Sequence, residues 1–172
     1  MKRVSPIAVV LALLAAGCSS STSSSAPSPT DPTFTATLSP ANEVPPVTNA
    51  ESTVTGNASI TFVTQKDAAG NITAASVTFI VNLTGFPPGS AVNIAHIHEG
   101  ASTCACPVVI STGLTAGELS IVGGNISFTK SNVSATPAVV QRILNNPAGF
   151  YFNVHSTLNP GGVARGTLVR VS

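Results

Sequence analysis

From Thr33 onward the chain alternates apolar and polar residues with a period of two, broken by turn residues, which is the pattern of half-buried strands. "TFTATLS" sets Phe34, Ala36 and Leu38 on one side against threonines on the other. "NASITFVTQ" repeats this with Ala58, Ile60 and Phe62, "KDAAGN" supplies a turn, and "ASVTFIVNLTG" returns with Val77, Phe79, Val81 and Leu83 aligned. These two segments predict an antiparallel hairpin. "AVNIAHIH", "PVVIST", "GNISFTK", "GFYFNVHS" and "VARGTLVRV" follow, for about eight strands in all, a usual number for two packed sheets. One segment departs from the period. "TPAVVQRILNNPAG" has Thr136 where an N-cap belongs, Pro137 at the first helical position, Val140, Ile143 and Leu144 at helical spacing, and Asn145-Asn146-Pro147 as a stop. It predicts a short helix over 137–145 whose apolar stripe closes one end of the core.

Ahead of Thr33 the pattern is different. "MKRVSPIAVVLALLAAGC" has a positive start at Lys2 and Arg3, an apolar run from Ile7 to Ala16, and then Gly17-Cys18. The run is shorter than the roughly 20 residues that span a bilayer as a helix, so residues 1–17 read as an export signal. "LLAAGC" resembles the lipobox of bacterial lipoproteins, with Ala15 at a position where Leu is commoner. That resemblance implies a diacylglyceryl thioether of palmitate type on Cys18, cleavage before it and further acylation. Two or three acyl chains anchor stably because each buried CH₂ adds on the order of 0.8 kcal/mol. Residues 18–32, "CSSSTSSSAPSPTDP", then form a Ser- and Pro-rich tether too poor in hydrophobes to fold, leaving 33–172 as the single folded domain. The expected location is the cell envelope, lipid-anchored at the outer membrane or cell surface and facing the periplasm or exterior.

Charge removes several classes of function. The chain carries seven basic and six acidic residues; without Lys2 and Arg3 five basic residues face six acidic ones, a net of −1. No cluster of Lys and Arg offers a nucleic-acid footprint. Carboxylates are too scattered to form an acid/base pair, and no serine sits in a G-x-S-x-G elbow, so no hydrolase is expected. Gly161, Gly162 and Gly166 suit a tight turn and a bulge rather than a phosphate loop, since no helix follows them. Asn57, Asn71, Asn82, Asn125 and Asn132 form N-x-S/T triplets that reflect the Ser/Thr-rich composition.

The chain has three histidines, and two of them stand one residue apart in "NIAHIHEG". On a strand, residues i and i+2 share a face about 6.5 Å apart, so His96 and His98 point the same way, with Val92 and Ile94 expected on that face too. In "FYFNVHS", Phe150, Phe152 and Val154 form one face and Tyr151, Asn153 and His155 the other. If the two strands are neighbours, His96, His98 and His155 converge, and three nitrogens with an open position suit zinc or copper. A plainer reading needs no metal: each imidazole hydrogen-bonds a loop carbonyl and pins the loops that begin at "HIHEG" and "HSTLNPGG". Cys104 and Cys106 allow free thiols, a C-x-C disulfide of acceptable span but tight ring, or extra thiolate ligands beside the histidines. In an exported chain the disulfide comes first. "NEVPP" reads as a turn closing the first strand; the alternative is that Glu43 neutralises Arg165, with "GGVARG" on the final strand.

"LSPANEVPPV" (38–47), "AHIHEG" (95–100), "PVVI" (107–110) and "FYFNVHSTLNPGGVARGTL" (150–168) together resemble the CHRD domain, found in chordin and in many bacterial secreted proteins and lipoproteins. The resemblance spans residues 33–171 and departs at "EGASTCACP", where the family more often has a Gly/Asn-rich loop without cysteines. It implies an all-β fold, an immunoglobulin-like or superoxide-dismutase-like antiparallel β-sandwich or barrel, and a place outside the cytoplasm, but no established activity. "HIHE" also resembles the His-x-His-Glu run of copper–zinc superoxide dismutases, whose further metal ligands are missing here. The expected protein is therefore a non-enzymatic binding or adhesion module, held to the membrane by lipid and contacting protein or glycan, with no nucleic acid. The alternative is a copper- or zinc-binding protein using the three histidines, and after it a small redox enzyme.

Overall fold

The computed structural model describes Met1 and residues 31–172. Apart from Met1, the segment read above as an export signal lies outside the described residues, as do Cys18 and nearly all of the segment read as a tether. Among those residues no helix is long and apolar enough to cross a membrane.

The strands are β1 (Thr33–Leu38), β2 (Thr55–Lys66), β3 (Ile72–Thr84), β4 (Val92–Glu99), β5 (Val108–Ser111), β6 (Ile126–Ala135), β7 (Phe150–Ser156), β8 (Ala164–Thr167) and β9 (Val169–Arg170), with helix α1 (Pro137–Asn145) between β6 and β7. They form two antiparallel sheets, one ordered β6-β3-β2-β1-β9 and the other β5-β4-β7-β8. The architecture is the expected all-β sandwich with one short helix. The β2–β3 hairpin pairs Ile60 with Phe79 and Phe62 with Val77. Its turn is closed by Asp67, whose carboxylate accepts from the Ala69 and Asn71 amides at 2.9 Å each, while Gly70 takes the positive φ that the turn requires.

Between the sheets the alternation predicted from sequence delivers Phe34, Ala36, Leu38, Ile60, Phe62, Val77, Phe79 and Val81 to the core from one side. Ala95, Ile97, Phe152 and Val154 come from the other. Phe79 and Phe152 stack across the interface at 5.7 Å between ring centres. Helix α1 has the predicted boundaries and buries Val140 and Ile143 at one end. Thr136 occupies the N-cap position without a capping hydrogen bond from its side chain.

Three local expectations are corrected. Strict alternation puts Val92 on the histidine face, but the β4–β7 register shifts between Val92 and Ile94. That irregularity turns Val92 into the core at 1% exposure and leaves Ile94 outside at 37%. The closing segment "VARGTLVRV" is two strands rather than one, because the chain leaves the four-stranded sheet after Thr167 and joins β1 of the other sheet as β9. The buried Leu168 marks the crossing. Gly166 serves this crossing and not a bulge: a Cβ there would collide with the backbone carbonyl of Thr37. Beside it, Ser39 and Arg165 exchange backbone hydrogen bonds of 3.1 and 3.3 Å, which ties the end of β1 to β8 and closes the sandwich along this edge.

Candidate metal centre and its polar cover

Strands β4 and β7 are neighbours, so the face opposite the core carries His96 and His98 on one strand and Tyr151, Asn153 and His155 on the next. His96 lies across from Asn153, and His98 across from Tyr151. Arg165 lies across from Asn153 on β8. In many sandwiches such a face meets water. Here every residue of β7 is buried, because the loops after β1, β4 and β7 fold over it. A buried polar face must find internal partners, and most of its groups do.

The histidines come together as the alternation requires: one ring nitrogen from each of His96, His98 and His155 lies within 4.8 Å of the others. Ring centres are separated by 5.8 Å for His96–His98, 5.2 Å for His96–His155 and 6.1 Å for His98–His155. Nδ1 of His98 is 2.7 Å from the Cys106 carbonyl, and Nδ1 of His155 is 2.9 Å from that of Pro160. A carbonyl only accepts, so in both rings Nδ1 carries the proton. Burial pushes all three imidazoles below their ordinary pKa, His96 to about 4, and the neighbouring imidazoles add to the shift at His96. Arg165 pushes in the same direction at His98 and His155, against the carbonyl bonds. All three rings are therefore neutral at pH 7. Nε2 of His98 and of His155 must then present bare lone pairs. Both atoms are buried without a hydrogen-bond partner, as is Nδ1 of His96.

The plainer reading of the histidines is thus half of what the structure contains. The two loops are pinned, through Nδ1 of His98 and His155. The pins leave Nε2 of each ring aimed elsewhere and do nothing for His96. Glu99, the last residue of the "HIHE" run, is not with them; it forms a two-point ion pair with Arg142 of α1 at 2.7 and 2.8 Å.

The cover is built around Arg165 and Tyr151. Arg165 is 2% exposed and bonds Glu43 through Nε at 2.7 Å and through a terminal nitrogen at 2.6 Å, so the structure holds the pairing that was the alternative reading of "NEVPP". Its other terminal nitrogen donates to the carbonyls of Cys104 at 2.8 Å and Ser102 at 3.4 Å. Burial raises the Glu43 carboxyl above its usual range, outweighing the opposing pulls of Arg165 and of the Asn153 amide. Asn153 acts on Glu43 by proximity, since neither of its amide atoms reaches hydrogen-bond geometry. The Tyr151 ring stacks on His98 at 4.8 Å and 3°, and Arg165 lies 4.7 Å from the ring centre. The Tyr151 hydroxyl donates to the Cys104 carbonyl at 2.9 Å and accepts from the Cys106 amide at 3.1 Å. Cys104 and Cys106 are joined as a disulfide with Cα atoms 5.3 Å apart, so in this form the nitrogen donors stand alone. On the far side Glu51, fully buried, accepts from Ser156 Oγ and from Asn159 Nδ2, the latter at 2.6 Å, and so shapes the loop that offers the Pro160 carbonyl.

Tyr151, Asn153, Glu51 and the two carbonyl partners were not singled out as site residues from sequence. Parity had already put Tyr151 and Asn153 on the His155 face, and Tyr151 is the one tyrosine in the chain; that much signal was present. The loop carbonyls carry no side-chain signature at all.

No curated protein and no solved structure matches this chain. A family model, that of the CHRD domain, matches residues 34–168, which takes in all of β1 but its first residue, the histidine strands, the Glu43–Arg165 pair and the crossing at Leu168. The chain belongs to the CHRD domain family.

Proposed function

We propose that this CHRD-family chain is a lipid-anchored, extracytoplasmic binding protein, not an enzyme, whose ligand is a copper or zinc ion held by His96, His98 and His155. One observation carries the reading: two imidazoles whose Nδ1 protons are tied to backbone carbonyls leave buried, unpartnered Nε2 atoms beside a third histidine. Metal-ligating histidines are oriented in this way, with the second nitrogen fixed by a carbonyl or carboxylate. A buried acceptor left unpaired costs about 1–3 kcal/mol, and a cation shared by three of them removes that cost at once. Bonds of about 2.0–2.1 Å in tetrahedral geometry place ligand nitrogens about 3.4 Å apart. Starting from separations of up to 4.8 Å, uptake draws the rings together and leaves a fourth position open. The neutral state of the rings means that no proton has to be displaced at pH 7.

Calorimetric titration of the metal-free mature chain with Zn(II) and with Cu(II) tests this. One equivalent bound at micromolar or tighter affinity, and lost in His98→Ala and His155→Ala, is expected; no heat above background at micromolar metal defeats the reading. The anchor rests on "LLAAGC", and labelling with a palmitate analogue that disappears in Cys18→Ser checks it. A second reading, contact with protein or glycan, is favoured by the outer face of the five-stranded sheet, where Thr35, Ser59, Thr61 and Asn82 share an uncharged, hydroxyl-rich surface. Retention on immobilised envelope glycan that survives chelation and is lost on placing lysines at these positions identifies it.

A further inference from the structure

We propose that the Cys104–Cys106 disulfide is a redox modification site that sets the metal affinity of the histidine cluster, a proposal that rests on the metal-binding reading above. The contacts between this loop and the site fall on the backbone of the two cysteines themselves. The Cys106 carbonyl accepts from His98, the Cys106 amide donates to Tyr151, and the Cys104 carbonyl accepts from both Tyr151 and Arg165. With a single residue between them, the linked cysteines hold these peptide groups in fixed relation. Tyr151 then extends the same clamp to the flat of the His98 ring, against which it stacks.

Both cysteines are only half-buried, and Ala105 between them is exposed, so a thiol can reach the bond. The reductant class is a dithiol, either small or the paired cysteines of a thiol–disulfide oxidoreductase. One of its thiolates attacks a sulfur of the pair, the S–S bond breaks and a mixed disulfide forms. Its second thiol then displaces the remaining cysteine, so the dithiol ends as a disulfide and Cys104 and Cys106 as two thiols. Two electrons and two protons pass to the protein. Two thiols need more room than two bonded sulfurs, and there is none behind them: a Cβ on Gly100 would collide with Cys106 Sγ and come within 2.9 Å of Cys104 Sγ. The loop therefore shifts on reduction. The carbonyl that keeps the proton on Nδ1 of His98 moves with it, and Nε2 is no longer held as a ready ligand.

Loss of such an orienting partner costs about 10–100-fold in metal affinity. The test compares Zn(II) affinity of the oxidised mature chain, the same chain reduced with a dithiol and desalted without air, and the Cys104→Ser/Cys106→Ser variant, which has neither bond nor thiols. Weaker zinc binding by that factor is expected in both altered forms. Nitrogen-15 spectra of the metal-free ring should show His98 leaving the Nδ1–H tautomer. Equal affinity in all three forms overturns the proposal. So does tighter binding after reduction that the serine variant lacks, since the thiols would then be ligands. If the serine variant does not fold, the chemically reduced chain decides alone. If the oxidised chain takes up no zinc, the metal reading itself fails, and the His98 tautomer still shows whether the disulfide governs that ring.

Discussion

Replacing Arg165 by Met separates the charge of this residue from its bulk. Methionine keeps an apolar stem over Tyr151 but abandons Glu43 and the carbonyls of Cys104 and Ser102. Glu43 is 3% exposed, and even with the arginine present burial holds its carboxyl above the usual range. Without the cation the carboxylate must either stay charged and unpaired or take up a proton on folding. Removing one partner of a buried pair costs about 3–5 kcal/mol. For a domain of this size that corresponds to a fall in melting temperature of about 10–20 °C. Arg165→Met/Glu43→Leu, which makes the site apolar on both sides, should recover most of the loss, because exchanging a buried pair for hydrophobic residues is often neutral.

The pH dependence has a definite sign. A carboxyl whose folded pKa is raised binds more protons in the folded state between its unfolded and folded values, so its contribution to stability falls as pH rises through that window. Removing Arg165 raises Glu43 further. It also lifts a cation that holds His98 and His155 down. Both changes make the variant relatively worse at pH 7 than at pH 5. Urea unfolding followed by circular dichroism at the two pH values, on both single variants and the double, reads this directly. A cost below about 1 kcal/mol for Arg165→Met, or a double variant no more stable than the single, would falsify the reading of a buried, interdependent pair.

Zinc at a hundredfold excess over its dissociation constant should stabilise the chain by about 2.7 kcal/mol, seen as a rise in melting temperature that His155→Ala removes. The metal-free chain should lose stability as pH falls from the ordinary histidine value of 6.5 toward about 4, because the unfolded state takes up protons that the folded His96 refuses. That drop corresponds to at most about 3 kcal/mol, and water reaching the part-exposed ring trims it to about 1–2; a flat profile between pH 6.5 and 4.5 in chemical denaturation contradicts it. Gly166→Ala should cost about 1–3 kcal/mol or more through collision with the Thr37 carbonyl. Gly161→Ala, with open space at its Cβ, should be nearly silent in the same melts.

Strand alternation was legible because each strand buries one face, and a slip by a single residue would expose Phe34, Ile60 or Phe79 to water. The same parity placed His96, His98 and His155 on one surface before any register was known. It failed at Val92, where an irregular pairing reverses the phase of the first turn of β4. No composition signal marks that point, since Asn93 reads as an ordinary polar strand residue. It failed again at "VARGTLVRV", because alternation continues smoothly while the chain changes sheets, and only Gly166 hints that another backbone passes close by.

What parity cannot supply is the cover. Period-two reasoning assigns the face opposite the core to solvent, yet here three loops bury it and make it a second, polar interior. That burial changes the chemistry of the same residues. On an open face, three histidines would titrate near 6.5 and bond water. Beneath the loops they stay neutral, spend Nδ1 of His98 and His155 on backbone carbonyls, and keep Nε2 for something that donates no hydrogen bond from this chain. The groups that enforce this state are Glu43, Glu51, Tyr151 and Arg165, three of them charged at neutral pH when free in water, the two carboxylates from the loop between β1 and β2 and the other two from the distant strands β7 and β8. A face that holds so many buried polar groups is costly to stability unless each is used. Among the buried polar atoms that folding leaves without partners, beside those of Asn153, Glu43 and Glu51, are three imidazole nitrogens that converge, and on the metal reading proposed above a bound ion is what would complete them.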